Sequence, residues 1–134
     1  MQIGLIYIGD DKNLLEYARI FMKNLNERQF MATLVNTNTD HTIITNFLYL
    51  IFFVQTDKIF KKDYLIKLEN FFRDAGIIRA KYASIFVTKG AFTDRKLLKY
   101  MKRIEKEGII LHDSATLFGK DHAEKTANNL EPIK

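Results

Sequence analysis

Short apolar runs alternate with longer amphipathic stretches along the whole chain, and this alternation restricts the fold more than any other feature. The first run, residues 3–8, is too short for a helix and ends at Gly9, which predicts a strand buried on both faces. Residues 12–28 then place apolar side chains at helical spacing, so the period changes from strand to helix. Asp10 or Asp11 is positioned to cap this helix at its N-terminus.

The same change of period recurs along the rest of the sequence. It predicts further strands at residues 31–35, 48–54, 82–87 and 109–111, and further helices at residues 63–75, 94–107 and 121–130, with a short helix over 40–47. The run 48–54 is the most apolar and is expected at the centre of a sheet, whereas 31–35 is expected nearer an edge. In the helix over 94–107, the predicted buried stripe is Leu97, Leu98, Met101 and Ile104.

Strands that alternate with helices pair in parallel and are covered on both faces. The expected fold is therefore a three-layer α-β-α sandwich with a five-stranded parallel sheet in the order 2-1-3-4-5, formed by one domain over residues 1–134. Ligands of such sheets bind beyond the carboxyl ends of the strands, near the switch between strands 1 and 3. The site is thus expected in residues 9–13, 55–63 and 88–93 and in the stretch after Leu111.

Composition excludes several classes of protein. The chain has no cysteine, so disulfides, thiolate metal sites and cysteine nucleophiles are excluded. Its first residues lack a basic leader and a cleavage site, and its longest apolar run is far shorter than the roughly 20 residues that span a bilayer, which predicts a cytoplasmic protein. The net charge of +5 could attract an anionic partner, either an acidic protein or nucleic acid, but a solvated lysine-rich surface is the preferred interpretation. The basic helix over 94–107, whose interleaved aliphatic residues face the core, is likewise expected to present a solvated face rather than a nucleic-acid site.

Two segments carry a family pattern: the first strand with its loop, and the fourth strand with its turn. Tyr7 occupies an aromatic position in strand 1, Ala18 occupies a small position in the following helix, and residues 80–90 form a basic approach, an apolar strand and a glycine-bearing turn. In these positions the chain resembles the flavodoxin family. The resemblance implies an FMN-binding electron carrier with a redox or regulatory protein partner. The short apolar runs and the solvated basic helix predict neither a membrane nor a nucleic acid as a partner.

The resemblance also implies where FMN would be held. The implied cofactor-binding residues are Gly9, Asp10, Asp11, Lys12, Asn13, Thr56, Phe60, Thr88, Lys89, Gly90 and Phe92. The flavin ring would be clamped by Phe92 together with either Phe60 or Tyr64. The first loop departs from the family pattern, because Gly9, Lys12 and Leu14 stand where hydroxyl or small residues are expected. Asp10 and Asp11 would moreover repel a phosphate. The alternative is that these aspartates only cap the helix and that the fold serves as a flavin-free binding or regulatory module.

A second alternative on the same fold is a receiver-like phosphoacceptor domain. Asp10 and Asp11, Asp57, Thr88 and Lys120 stand near the ends of successive strands, as the acidic pair, phosphoacceptor, hydroxyl and lysine of a receiver would. No Lys-Pro pair follows the fifth strand, which argues against this interpretation.

The three histidines lack metal-ligand spacing, and the neighbours His112, Asp113 and Ser114 are not a triad assembled from separate segments. With no catalytic or metal residues identified, the sequence favours a carrier or binding protein over a catalyst.

Overall fold

The short apolar runs form the strands of one parallel sheet in a computed structural model, which describes residues 1–40, 44–56, 64–76, 78, 81–90 and 93–133. The strands are β1 Gln2–Ile8, β2 Met31–Asn36, β3 Tyr49–Val54, β4 Tyr82–Thr88 and β5 Ile110–Leu117, and the helices are α1 Lys12–Glu27, α2 Tyr64–Ala75, α3 Thr93–Glu105 and α4 Gly119–Asn129. The strand order β2-β1-β3-β4-β5 confirms the predicted order, with β3 central and β2 at an edge.

Helices cover both faces of the sheet, because alternate residues of each central strand point to opposite faces. On one face, α2 and α3 pack against the sheet, and Phe52 of β3 contacts Phe72 with ring centroids 5.9 Å apart. On the other face, α1 and α4 pack against the sheet, and Phe53 contacts Phe21 at 5.1 Å. All six residues of β3 are buried, as its unbroken apolar run predicts.

The fifth strand is longer than predicted and begins one residue later. It covers Ile110–Leu117 rather than residues 109–111. Its polar residues fit a strand at the sheet edge, where seven of its eight residues are exposed or only partly buried. Its register against β4 shifts between Ala83 and Ser84, so that His112 is the extra residue of a bulge. At this strand the carboxyl edge therefore begins after Leu117, so of the stretch predicted after Leu111 the residues up to 117 belong to β5 and only the later ones lie beyond it.

The register of α3 also differs from the prediction. Tyr100 is buried, whereas Leu98 is 53% exposed. Leu97 and Met101 pack partly buried against the core, and Ile104 is fully buried. The buried stripe of α3 thus runs through positions 97, 100, 101 and 104, the spacing of one helix face, and Leu98 lies outside it.

Smaller differences concern element boundaries. The short helix predicted over 40–47 is a single 3-10 turn, Ile44–Asn46, and residues 41–43 lie outside the described part of the chain. The last helix begins at Gly119 rather than at residue 121. In the described ranges, no helix combines the length and the apolar character that crossing a membrane requires. The single domain over 1–134 stays a prediction.

Candidate binding site at the carboxyl edge of the sheet

The loop between β1 and α1 is held by its own aspartate at the start of the helix. The Asp11 carboxylate accepts a hydrogen bond from the Asn13 amide at 2.9 Å and so caps α1, as the sequence predicted for Asp10 or Asp11. The Tyr7 hydroxyl donates to the Asp11 carbonyl at 2.9 Å. One of the free amides at the helix start is therefore already used inside the protein.

A side chain from the neighbouring strand occupies a second amide of this loop. Gln55 follows β3, and its Oε1 accepts a hydrogen bond from the Asp10 amide at 2.7 Å. A Cβ on Gly9 would lie 2.7 Å from both Cβ and Oε1 of Gln55, closer than real Cβ contacts allow. Glycine at position 9 thus makes room for Gln55.

The loop after β2 braces the first loop from the other side. Thr37 Oγ1 donates to the Tyr7 carbonyl at 2.8 Å, and Asn38 Nδ2 donates to the Gly9 carbonyl at 2.7 Å. Since Gln55 holds the same loop from β3, hydrogen bonds fix its backbone from both neighbouring strands.

Tyr64, at the start of α2, points towards this loop. Its hydroxyl donates to Asp10 Oδ1 at 2.8 Å, and the residue is 3% exposed. Tyr64 therefore belongs to the core and contacts the acidic loop, and the prediction that it could clamp a ring is wrong.

Burial, with the nearby Asp11 and Asp10 carboxylates, raises the pKa of Tyr7 to about 12.

The loop after β4 contacts the end of β3. Thr56 Oγ1 donates to the Thr88 carbonyl at 3.0 Å, and a Cβ on Gly90 would lie 2.8 Å from Thr56 Oγ1. Thr93 then closes the turn into α3, because its Oγ1 accepts from the Gly90 amide and donates to the Gly90 carbonyl. The structure thus brings Thr56, Thr88 and Gly90 together and bonds the Thr56 hydroxyl and the Gly90 backbone within the fold, while their role in holding a cofactor stays a prediction.

An open cleft of about 540 Å³ lies beside this turn, between the ends of β4 and β5. Its lining residues are Lys89, Gly90, Thr93, Asp94, Arg95, Thr116 and Phe118. Phe118 is 59% exposed and its ring packs against His122 at 5.5 Å. The cleft therefore combines two cations, one carboxylate and two hydroxyl side chains with one exposed aromatic ring, a mixed polar surface with an apolar neighbour.

The first loop does not fit a phosphate dianion, which is the part of FMN that this loop would hold in a flavodoxin. A phosphate site needs free amide or hydroxyl donors and little negative charge. Two of the loop's amides are taken by Gln55 and Asp11, and residues 9–13 contain no hydroxyl side chain. The Asp10 carboxylate is part of the same loop and already accepts the Tyr64 hydroxyl.

Other predicted residues are not brought together with this loop. Phe60, Phe92 and Asp57 lie outside the described residues. Lys120 lies on α4, where its ammonium pairs with Glu16 at 2.9 Å, so its placement as a receiver-type lysine beside Asp10 and Asp11 is wrong. Within the described ranges, no group of three acidic or histidine side chains could hold a metal ion. Phosphorylation of Asp57 stays a prediction.

Three residues that organise the loop were not identified from the sequence: Gln55, Asn38 and Tyr100. The Tyr100 hydroxyl donates to the Gln55 carbonyl at 3.0 Å, which anchors the residue that holds the loop. Only the position of Gln55 in the sequence could have indicated its role, because it directly follows the most apolar strand and the strand ends meet at this edge of the sheet. Their residue types alone indicate no such role.

Comparison with known proteins agrees with this fold. No protein-family model matches the sequence, and no curated protein sequence matches it. Among solved structures, a mutant of flavodoxin from Pseudomonas aeruginosa aligns with a TM-score of 0.72 at 13% identity, covering 96% of this chain and 92% of that one. The Streptococcus pneumoniae TIGR4 flavodoxin gives 0.71 at 14% identity with 96% of both chains covered, and oxidised Flavodoxin 1 from Bacillus cereus gives 0.70 at 13% with 95% and 92% covered. The chain therefore has the flavodoxin-like fold.

Proposed function

We propose that this chain is a flavin-free binding module on the flavodoxin-like fold, whose ligand is another protein. One observation carries the proposal: Gln55 and Asp11 occupy two amides of the loop after β1, in which Asp10 adds a carboxylate. A loop arranged in this way stabilises the fold and repels a phosphate. The position that a flavodoxin would use for its cofactor is used here for internal hydrogen bonds.

The remaining features of the chain suit a binding protein. The cleft between β4 and β5 is open and lined by Lys89 and Arg95, and Phe118 stands exposed at its side. Aromatic side chains and arginine, the types of Phe118 and Arg95, are enriched where one protein recognises another. The absence of cysteine fits a reducing compartment, so we place the module in the cytoplasm.

An FMN-binding electron carrier is the competing proposal. Its support is the similarity of fold to solved flavodoxins, together with Phe60 and Phe92, which stand in the sequence where ring-clamping residues would. In that case Phe60 and Phe92 would hold the isoalloxazine ring, and Lys12 and Lys89 would offset the charge of the phosphate. FMN itself would supply the redox chemistry.

Flavin binding separates the two proposals. The visible absorption of the purified protein is recorded before and after FMN is added and the sample is dialysed against flavin-free buffer, and FMN fluorescence is titrated with protein. For a flavin-free module we expect a colourless protein that leaves FMN fluorescence unquenched at about 100 µM protein, which corresponds to binding weaker than about −5.5 kcal/mol. A retained flavin absorption band, or quenching with a micromolar or lower Kd, would support the carrier instead.

A further inference from the structure

We propose that three exposed lysines on α3 and the turn after it, Lys99, Lys102 and Lys106, dock an acidic segment of another protein. We call them the lysine face. This inference rests on the proposed function, because it names the surface and the kind of partner that a binding module of this fold would use.

The three lysines share one side of the helix. At 100° per residue they fall within an arc of about 60°, and the rise from Lys99 to Lys106 is about 10 Å. Lys106 follows α3, but its amide still donates to the Lys102 carbonyl at 3.2 Å, so it continues the helical path. All three are exposed. The lysine face is therefore a short row of cations that an extended or helical segment could follow.

No carboxylate of the described residues neutralises this row. Arg103 on the same helix is paired, with Glu69 of α2 at 3.6 Å and with Glu107 at 2.7 Å. In the described part of the chain, none of the three lysines forms an ion pair. Their charges are thus available to a partner, whereas that of Arg103 is largely compensated inside the protein.

The charge surplus of the chain is concentrated here. Residues 93–107 contain six cations, Arg95, Lys96, Lys99, Lys102, Arg103 and Lys106, against three carboxylates, Asp94, Glu105 and Glu107. This surplus of three is more than half of the net charge of +5. Arg95, in the first turn of the same helix, also lines the cleft beside Lys89, so the row leads towards that cleft.

The neighbouring side chains favour a protein over a nucleic acid. Leu98 is 53% exposed and lies beside the lysine face, where an apolar side chain of a partner could cover it. Surfaces that bind single-stranded nucleic acid combine cations with exposed aromatic rings on which bases stack, whereas the exposed side chain beside the lysine face is the aliphatic Leu98. An acidic segment with one or two aliphatic side chains complements both features.

The test compares two charge-reversal variants with the same change in charge. The first is Lys99→Glu/Lys102→Glu/Lys106→Glu. The control is Arg19→Glu/Lys23→Glu/Lys125→Glu, which reverses three exposed cations, unpaired among the described residues, on α1 and α4, the helices that cover the opposite face of the sheet. The probe is a fluorescein-labelled peptide of roughly 15 residues composed of glutamate with interspersed leucine, measured by anisotropy at low ionic strength.

We expect the first variant to weaken peptide binding about tenfold or more and the control to change it less than about threefold. Amide chemical-shift changes in the wild type on adding peptide should map to α3, which keeps the proposal testable if the triple variant does not fold. Equal weakening in both variants, or no binding by the wild type, would overturn it. Duplex DNA that bound more tightly than the peptide at the same salt, through the same lysines, would also overturn it in favour of a nucleic acid.

The flavin titration is a separate measurement on the same wild-type protein. Flavin binding together with α3-dependent peptide binding would contradict only the flavin-free module. Unquenched FMN together with peptide binding that is independent of α3 would contradict only the docking surface.

Discussion

The closed loop after β1 predicts that two substitutions open a phosphate site. In Asp10→Ser/Gln55→Ala, the Asp10 carboxylate is replaced by a hydroxyl and the backbone amide at position 10 loses its acceptor, Gln55 Oε1. A carboxylate about 5 Å from a phosphate dianion costs about 1.7 kcal/mol even at the dielectric constant of water. A freed amide that donates to an anion contributes about 1.5 kcal/mol. The sum of about 3 kcal/mol corresponds to about a hundredfold tighter FMN binding.

The assay is quenching of flavin fluorescence, with FMN and riboflavin titrated in parallel. Riboflavin lacks the phosphate, so its affinity should stay unchanged while that for FMN rises. Each single variant should bind FMN about tenfold more tightly than the wild type. The product of the two single gains in affinity, compared with the gain of the double variant, measures how far the two substitutions are coupled.

The matched control is Asp74→Ser, which removes the same charge near the other end of α2. Asp74 lies ten residues along the helix from Tyr64, which contacts Asp10, and this corresponds to about 15 Å. That distance exceeds the Debye length at physiological salt, so we expect less than a twofold change. The explanation by charge and amide occupancy is refuted if the double variant binds FMN no better than Asp74→Ser. It is also refuted if riboflavin gains as much as FMN.

Three further predictions concern the stability of the fold. Tyr100→Phe removes the hydrogen bond to the Gln55 carbonyl and should cost about 1 kcal/mol of unfolding free energy in urea denaturation, and an unchanged midpoint would contradict that role. Ile104→Ala should cost about 2–5 kcal/mol whereas Leu98→Ala should cost less than about 0.5, and equal losses would contradict the observed register of α3. Tyr7 loses its proton near pH 10 in the unfolded chain, whereas folding raises its pKa to about 12. The unfolding free energy that this shift contributes is fully present below pH 10 and is lost as the pH rises from 10 to 12. Tyr7→Phe should make that fall shallower, and an identical slope between pH 10 and 12 would refute it.

The strands and helices were predictable because they depend on local patterns, and the strand order followed from the doubly wound arrangement that alternating strands and helices favour. A short unbroken apolar run such as residues 48–54 is typical of a strand buried on both faces, although Leu48 itself lies outside β3 and is exposed. The end of β5 was missed for the opposite reason, since an edge strand tolerates the polar residues that look like a loop in the sequence. The exposure of Leu98 was missed because two registers of α3 bury similar numbers of apolar residues, and the choice between them depends on the neighbouring elements.

The chemistry of the loop was only partly predictable. The sequence indicated the cap by Asp11 because this contact is local: the carboxylate accepts a hydrogen bond from an amide only two residues further along the chain. The contact between Gln55 and the Asp10 amide joins residues 45 positions apart, and no pattern in either segment reports it. Its only trace in the sequence is Gly9, which a family comparison treats as a departure from a hydroxyl residue.

Gly9 shows how the fold and the function of this edge separate. A parallel sheet of this order brings the ends of β1 and β3 together whether or not a ligand is present. A glycine at that point commonly allows a ligand to approach the backbone, but here the space beside Gly9 is filled by Gln55 from the same chain. With the Asp10 carboxylate held by Tyr64 and two amides of the loop held by Gln55 and Asp11, the described contacts at this switch point stabilise the loop itself. The lysine face of α3 carries three exposed cations that form no ion pair in the described part of the chain, and under the proposal above recognition of a partner is expected there.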